Sequence, residues 1–128
     1  MSALNLVVLP DRWCVCRAAP ETAVPAEVLN QPFFCVMRTH EELSLVVPDS
    51  LVLNNFEREE DWRIFQVKGP LDFALTGVLS SLTGPLAKAS ISIFALSTFD
   101  TDYLMVKGEK LAEAIVVLRQ AGFLVSES

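Results

Sequence analysis

Between residues 64 and 125 the hydrophobic pattern changes period repeatedly, and the order of those changes restricts the fold more than any other feature of the chain. Residues 64–67 form an apolar run of strand length that stops at Lys68-Gly69-Pro70. Asp72 then stands where a helix N-cap is expected, ahead of Leu75, Val78, Leu79, Leu82 and Leu86 at helical spacing. The spacing predicts a helix over 71–88, loosened or kinked at Pro85, which has no N–H for the Ser81 carbonyl. Residues 91–96 and 103–106 read as strands around the turn 97–102. Glu109 opens a second helix, expected over 109–121, with Leu111, Ala114, Ile115 and Leu118 as its buried stripe and Gly122 as its stop. Residues 123–125 supply a last strand. Strand, helix, strand, strand, helix, strand is the order of a ferredoxin-like α+β unit, with both helices on one face of an antiparallel sheet.

The first half carries weaker signals. Residues 4–9 and 13–17 read as strands joined at Pro10-Asp11, an opening hairpin. Pro20, Pro25 and Pro32 leave room only for a short helix near 26–29. Strands over 33–37 and 43–47 flank the polar turn 38–42. Asn54-Asn55 followed by Glu57, Arg58, Glu59, Glu60 and Asp61 is the sharpest shift in composition, and it is expected to be a solvated boundary between two units, 1–60 and 61–128. The halves also echo each other at a constant offset of 59, which lays Thr39 on Thr98 and Val47 on Val106. The same offset lays 4–9 on 63–68. A degenerate duplication accounts for this, the first copy having lost its long first helix to the proline-rich segment.

A chain of 128 residues with 52% hydrophobic and 20% charged residues is too apolar to stay disordered. Its longest uncharged run, 73–87, falls short of the ~18 residues a membrane span needs. The opening residues lack the basic and small-residue pattern of a secretory leader, and neither end carries a lipidation signal, so a cytoplasmic protein is expected. The net charge is −6, with Lys and Arg scattered singly, so neither nucleic acid nor an anionic membrane is an expected partner.

Residues capable of catalysis are sparse. His40 is the only histidine and lies in a turn beside Glu41 and Glu42. Cys14, Cys16 and Cys35 sit among strand residues and lack metal-ligand spacing, so they read as core thiols, and no metal or cofactor is expected. No phosphate-binding or nucleophile-elbow motif occurs. Two segments stand out. At Lys68-Gly69-Pro70-Leu71-Asp72 a strand passes into a helix, so free backbone N–H groups and the positive end of the helix dipole suit a carboxylate. At Leu96-Ser97-Thr98-Phe99-Asp100-Thr101-Asp102 a strand ends in hydroxyls, an aromatic ring and carboxylates, which an ordinary hairpin turn would also use.

Residues 92–106, Ser-Ile-Phe-Ala-Leu-Ser-Thr-Phe-Asp-Thr-Asp-Tyr-Leu-Met-Val, preceded by the Gly77-Val-Leu-Ser-Ser-Leu and Gly84-Pro-Leu-Ala segments, closely resemble the ACT domains of the CASTOR type. These are the ACT-like units of arginine sensors and their bacterial relatives, and the chain is also similar to the regulatory ACT domains of aspartokinases. The likeness is strongest over 62–125 and weaker in the first half, where Phe-Phe-Cys-Val and Leu-Ser-Leu-Val-Val strands flank an acidic turn. It implies two ACT units in tandem, a small effector bound at an interface between ACT units, and no catalysis. Matched residue by residue, it nominates Ser97, Thr98, Phe99 and Asp102 from the turn, and Val67, Lys68, Gly69 and Gly77 from the helix entrance. Helix N–H groups would hold an α-carboxylate, Asp102 an ammonium or guanidinium, and Thr98 a further hydrogen bond. Arginine sensors place an acidic residue before the helix glycine, where this chain has Leu75-Thr76. They also carry four ACT units per chain, so a homodimer is implied here.

The sequence thus predicts a cytoplasmic, non-catalytic sensor of a small molecule, an amino acid by analogy, that passes its binding state to a protein partner. The alternative is an interaction or dimerisation module whose ligand site has decayed, and an enzyme of ferredoxin-like fold ranks third.

Overall fold

The computed structural model describes residues 4–68 and 77–128. The chain divides into two compact units, a middle unit of Asp11–Trp62 and a C-terminal unit of Arg63–Ser128 that also takes in Met1–Pro10. The units are therefore not the successive segments 1–60 and 61–128 that the composition suggests. The reason lies in the first strand. β1 (Asn5–Val8) makes no hairpin with β2 (Trp13–Ala18) but pairs antiparallel with the end of β5 (Glu57–Val67), Leu6 opposite Val67 and Val8 opposite Phe65. It also pairs in parallel with β8 (Leu124–Glu127), Leu6 opposite Val125. Leu6, Val8, Phe65, Val67 and Val125 all point into one core, so the same alternation that marks these segments as strands also fixes their register.

The C-terminal unit follows the expected order: the end of β5, α1 (Val78–Lys88), β6 (Phe94–Ser97), β7 (Asp102–Lys107), α2 (Leu111–Gln120) and β8. β7 pairs with β5 and β6, so the strand order is β6-β7-β5-β1-β8. This is the ferredoxin-like arrangement with β1 inserted beside β5, and the β1–β8 pairing makes the sheet mixed rather than antiparallel. Leu82 and Leu86 of α1 and Leu111, Ala114 and Leu118 of α2 cover one face. Burying each leucine contributes roughly 2 kcal/mol. Asp72 and Leu75 lie outside the described residues, but a single helix over 71–88 is excluded by Gly77, whose φ of +75° breaks helical geometry just before Val78. Leu79, expected in the stripe, is exposed. The helix runs on through Pro85 to Lys88. α2 starts later than expected, after a 3-10 turn at Gly108–Lys110, and the chain leaves it through Gly122 at φ +100°.

In the middle unit the strand order is β3 (Cys35–Arg38), β4 (Leu43–Pro48), β2 and the first half of β5, all antiparallel. Between β2 and β3 the prolines permit only a 3-10 helix, Ala26–Asn30, whose Val28 is fully buried against Cys14, Cys16, Leu43, Leu45 and Val47. The acidic segment is not a linker. It is the charged half of β5, paired with β2, where Arg17 chelates both oxygens of Glu57 at 2.9 Å. Arg58 reaches back to the carbonyls of Leu51 and Asp49. Within this unit β5 is an outer strand, a position that charged side chains suit.

The internal echo survives in altered form. β3 and β4 correspond to β6 and β7 at the offset of 59, and β2 occupies the place beside β4 that β5 occupies beside β7. Residues 4–9 and 63–68, also related by that offset, supply β1 and the end of β5, and these two strands are antiparallel partners in one sheet. Between the strands that correspond, the β2–β3 connection is shorter than the β5–β6 connection, so a constant offset cannot extend past β3.

Candidate functional site

The turn nominated by the sequence is a closed structure. Thr98 donates its N–H to the Thr101 carbonyl at 2.8 Å, its Oγ1 donates to the same carbonyl at 3.1 Å, and the Thr101 N–H donates back to Thr98 Oγ1 at 3.2 Å. Across the ends of the hairpin, Ser97 Oγ donates to Asp102 Oδ1 at 2.7 Å. Asp102 is therefore engaged before any ligand arrives. Phe99, at the tip, is 81% exposed.

The residue that joins this turn to the helix entrance is one the sequence reading passed over. Thr101 is only 6% exposed, and its Oγ1 donates to the backbone carbonyl of Val67 at 2.7 Å. It pins the turn to the end of β5 and thereby brings Val67 beside Ser97, Thr98 and Asp102. Its signal was present: a hydroxyl three residues after Thr98 in a turn, flanking a buried strand.

The other nominated residues fall differently. Lys68 does not offer a free backbone donor, since its N–H is bonded to the Asn5 carbonyl at 2.9 Å. Its side chain lines an open cleft of about 600 Å³ with Asn5, Val7, Arg119 and the start of β8. Gly69 lies outside the described residues. Gly77 caps α1, and its carbonyl takes the Ser81 N–H at 2.9 Å. The N–H groups of Val78, Leu79 and Ser80 that follow it have no intrahelical partner and form the positive end of this helix.

Nothing in the middle unit gathers a catalytic set. His40 is exposed. Cys14 and Cys16 are buried with their sulfurs 3.1 Å apart. Their mutual hydrogen bond, with burial adding to it, pushes the Cys14 thiol up, and the same bond pulls Cys16 down against the opposing effect of burial. Cys35 is pushed up by burial alone. Among the described residues no group of three or more His, Cys, Asp or Glu side chains could hold a metal ion, and no helix is long and apolar enough to cross a membrane.

The model of the ACT domain family matches residues 57–120, half of the chain and the whole run from the charged part of β5 through α2. The chain belongs to the ACT-domain family. This ACT protein is 35% identical over 74 residues to the human "Cytosolic arginine sensor for mTORC1 subunit 1", covering 57% of the chain and 22% of that protein. The mouse protein of the same name is 30% identical over 103 residues, covering 73% and 31%. The chain thus spans about a fifth to a third of the length of these curated relatives. Among solved structures, an Agobacterium tumefaciens protein superimposes with a TM-score of 0.92 at 29% identity, covering 100% of this chain and 96% of that one. The ligand-free regulatory subunit of aspartate kinase from Thermus thermophilus shares the fold, with a TM-score of 0.67 at 11% identity and coverage of 95% and 99%.

Proposed function

We propose that this ACT protein is a non-catalytic, cytoplasmic regulatory sensor of a free amino acid, acting as a homodimer on a protein partner. The observation that carries the reading is the Thr101–Val67 hydrogen bond, which holds a hydroxyl- and carboxylate-bearing turn against the end of a strand that leads to a helix N-terminus. An amino acid needs that combination. Its carboxylate is matched by the amides opening α1 at Gly77, with Gly69 nominated from the sequence, and its ammonium or cationic side chain by Asp102, with Ser97, Thr98 and Phe99 completing the rim and Val67 the floor. The relatives named as arginine sensors, and the likeness to aspartate kinase regulatory subunits, support a regulatory role without catalysis. A second copy of the chain completes the site, as an ACT unit bound to an effector at an interface requires.

A thermal-shift series with each of the twenty amino acids tests this. At about 100 times the dissociation constant the bound amino acid stabilises the fold by roughly 2.7 kcal/mol, a shift of several degrees. No shift from any amino acid would leave the interaction-module reading in its place.

A further inference from the structure

At the opposite end of β1 from its turn, the structure gathers the positive charges of Lys68, which the sequence also nominates for the amino-acid site, and Arg119. Three contacts fix the geometry. The Lys68 N–H is bonded to the Asn5 carbonyl, Asn5 stands opposite Leu124 in the parallel β1–β8 pair, and Arg119 in the last turn of α2 donates to the Val125 carbonyl at 2.8 Å. Lys68 and Arg119 therefore lie on either side of the paired starts of β1 and β8, whose strands are spaced about 4.8 Å apart, and both line the same cleft. Together with Val7, Phe123, Leu124 and Ser126 they line the open cleft of about 600 Å³.

Charge and polarity in this cleft run against the rest of the chain. The net charge is −6, yet the described lining residues include two cations and no carboxylate. Among the described residues neither cation has an acidic partner. Lys68 is exposed, and Arg119 spends one nitrogen on a backbone carbonyl, which orients its fork and leaves further donors available. Beside them lies apolar surface: Leu124 is 61% exposed, and Val7 and Phe123 are half-buried. Two cations next to the exposed Leu124 side chain and the outer edges of the half-buried Val7 and Phe123 suit an amphipathic organic anion, with its carboxylate held by Lys68 and Arg119 and its apolar tail on Leu124.

We propose that this cleft is a second binding site, for a small organic acid with an apolar tail and no need of an ammonium group. It does not rest on the amino-acid reading, because it shares none of the turn residues and makes no use of Asp102.

Calorimetric titration of the full chain with 3-phenylpropanoate, a carboxylate lacking an amine, tests the proposal. Saturable binding is expected, with 3-phenylpropan-1-ol not binding. Leu124→Glu, which places a carboxylate in the cleft at an exposed strand position, should weaken binding at least tenfold, and Lys68→Ala about tenfold. Asp102→Ala should leave it unchanged. Should Leu124→Glu disturb the fold, as judged by circular dichroism, Lys68→Ala alone decides. Absence of binding at 10 mM ligand, about the weakest affinity worth calling a site, overturns the proposal. So does binding that the alcohol reproduces or that Lys68→Ala leaves intact. Loss of amino-acid shifts alone would count against the sensor reading and leave this one standing.

Discussion

Thr101 Oγ1 donates a 2.7 Å hydrogen bond to the Val67 carbonyl, and this single contact ties the hairpin turn of the C-terminal unit to the strand that precedes its first helix. Thr101→Val keeps the shape of the side chain but leaves that carbonyl without its donor in a buried setting. The expected cost is about 2 kcal/mol, measured as a lower urea midpoint at unchanged m-value. Unchanged stability would show the contact to be dispensable.

Asp102→Ala removes the partner of Ser97 Oγ, an exposed pair separated by 2.7 Å. The loss of apo stability should stay below about 1 kcal/mol. A loss of several kcal/mol would make Asp102 a structural turn residue rather than a ligand-binding one.

Gly77→Ala should destabilise by about 1 kcal/mol through backbone strain alone. The residue has φ +75°, while a Cβ there would meet no atom within 4 Å. Gly84→Ala, also free of contacts within 4 Å but inside α1, should stabilise by up to about 1 kcal/mol. Thermal denaturation of the two variants should therefore move in opposite directions.

Burial raises the Cys35 thiol above its ordinary value of 9.0. A raised folded value means that the unfolded chain releases its proton first, so the stability contributed by the neutral thiol is complete below pH 9.0 and is lost as pH rises through the folded value. Cys35→Val should accordingly lose less stability than the wild type between pH 8 and pH 10. Equal losses in the two proteins would contradict the assignment.

The elements of the C-terminal unit were legible because each carries its own period: Leu82 and Leu86 at helical spacing, Leu104 and Val106 at strand spacing, all buried as the pattern requires. What was not legible depends on partners distant in sequence. Nothing local to residues 5–8 says that they will pair with Val67 and Val125 rather than with β2. The acidic run 57–61 reads as a linker until Arg17 and the carbonyls of Asp49 and Leu51 are seen to hold it as a strand. At the candidate site, the turn hydroxyls and Asp102 were visible in the motif. Thr101 was missed because its role is a bond to a backbone carbonyl 34 positions away, and side-chain pattern carries no record of such a bond.

The central claim is tested most directly by isothermal titration of the wild type and Asp102→Ala with the amino acid that gives the largest thermal shift. The account predicts saturable binding by the wild type and a loss of at least tenfold in affinity in the variant, whose melting temperature without ligand stays close to that of the wild type. Equal affinity in the two proteins, or no binding of any amino acid to the wild type, would contradict it.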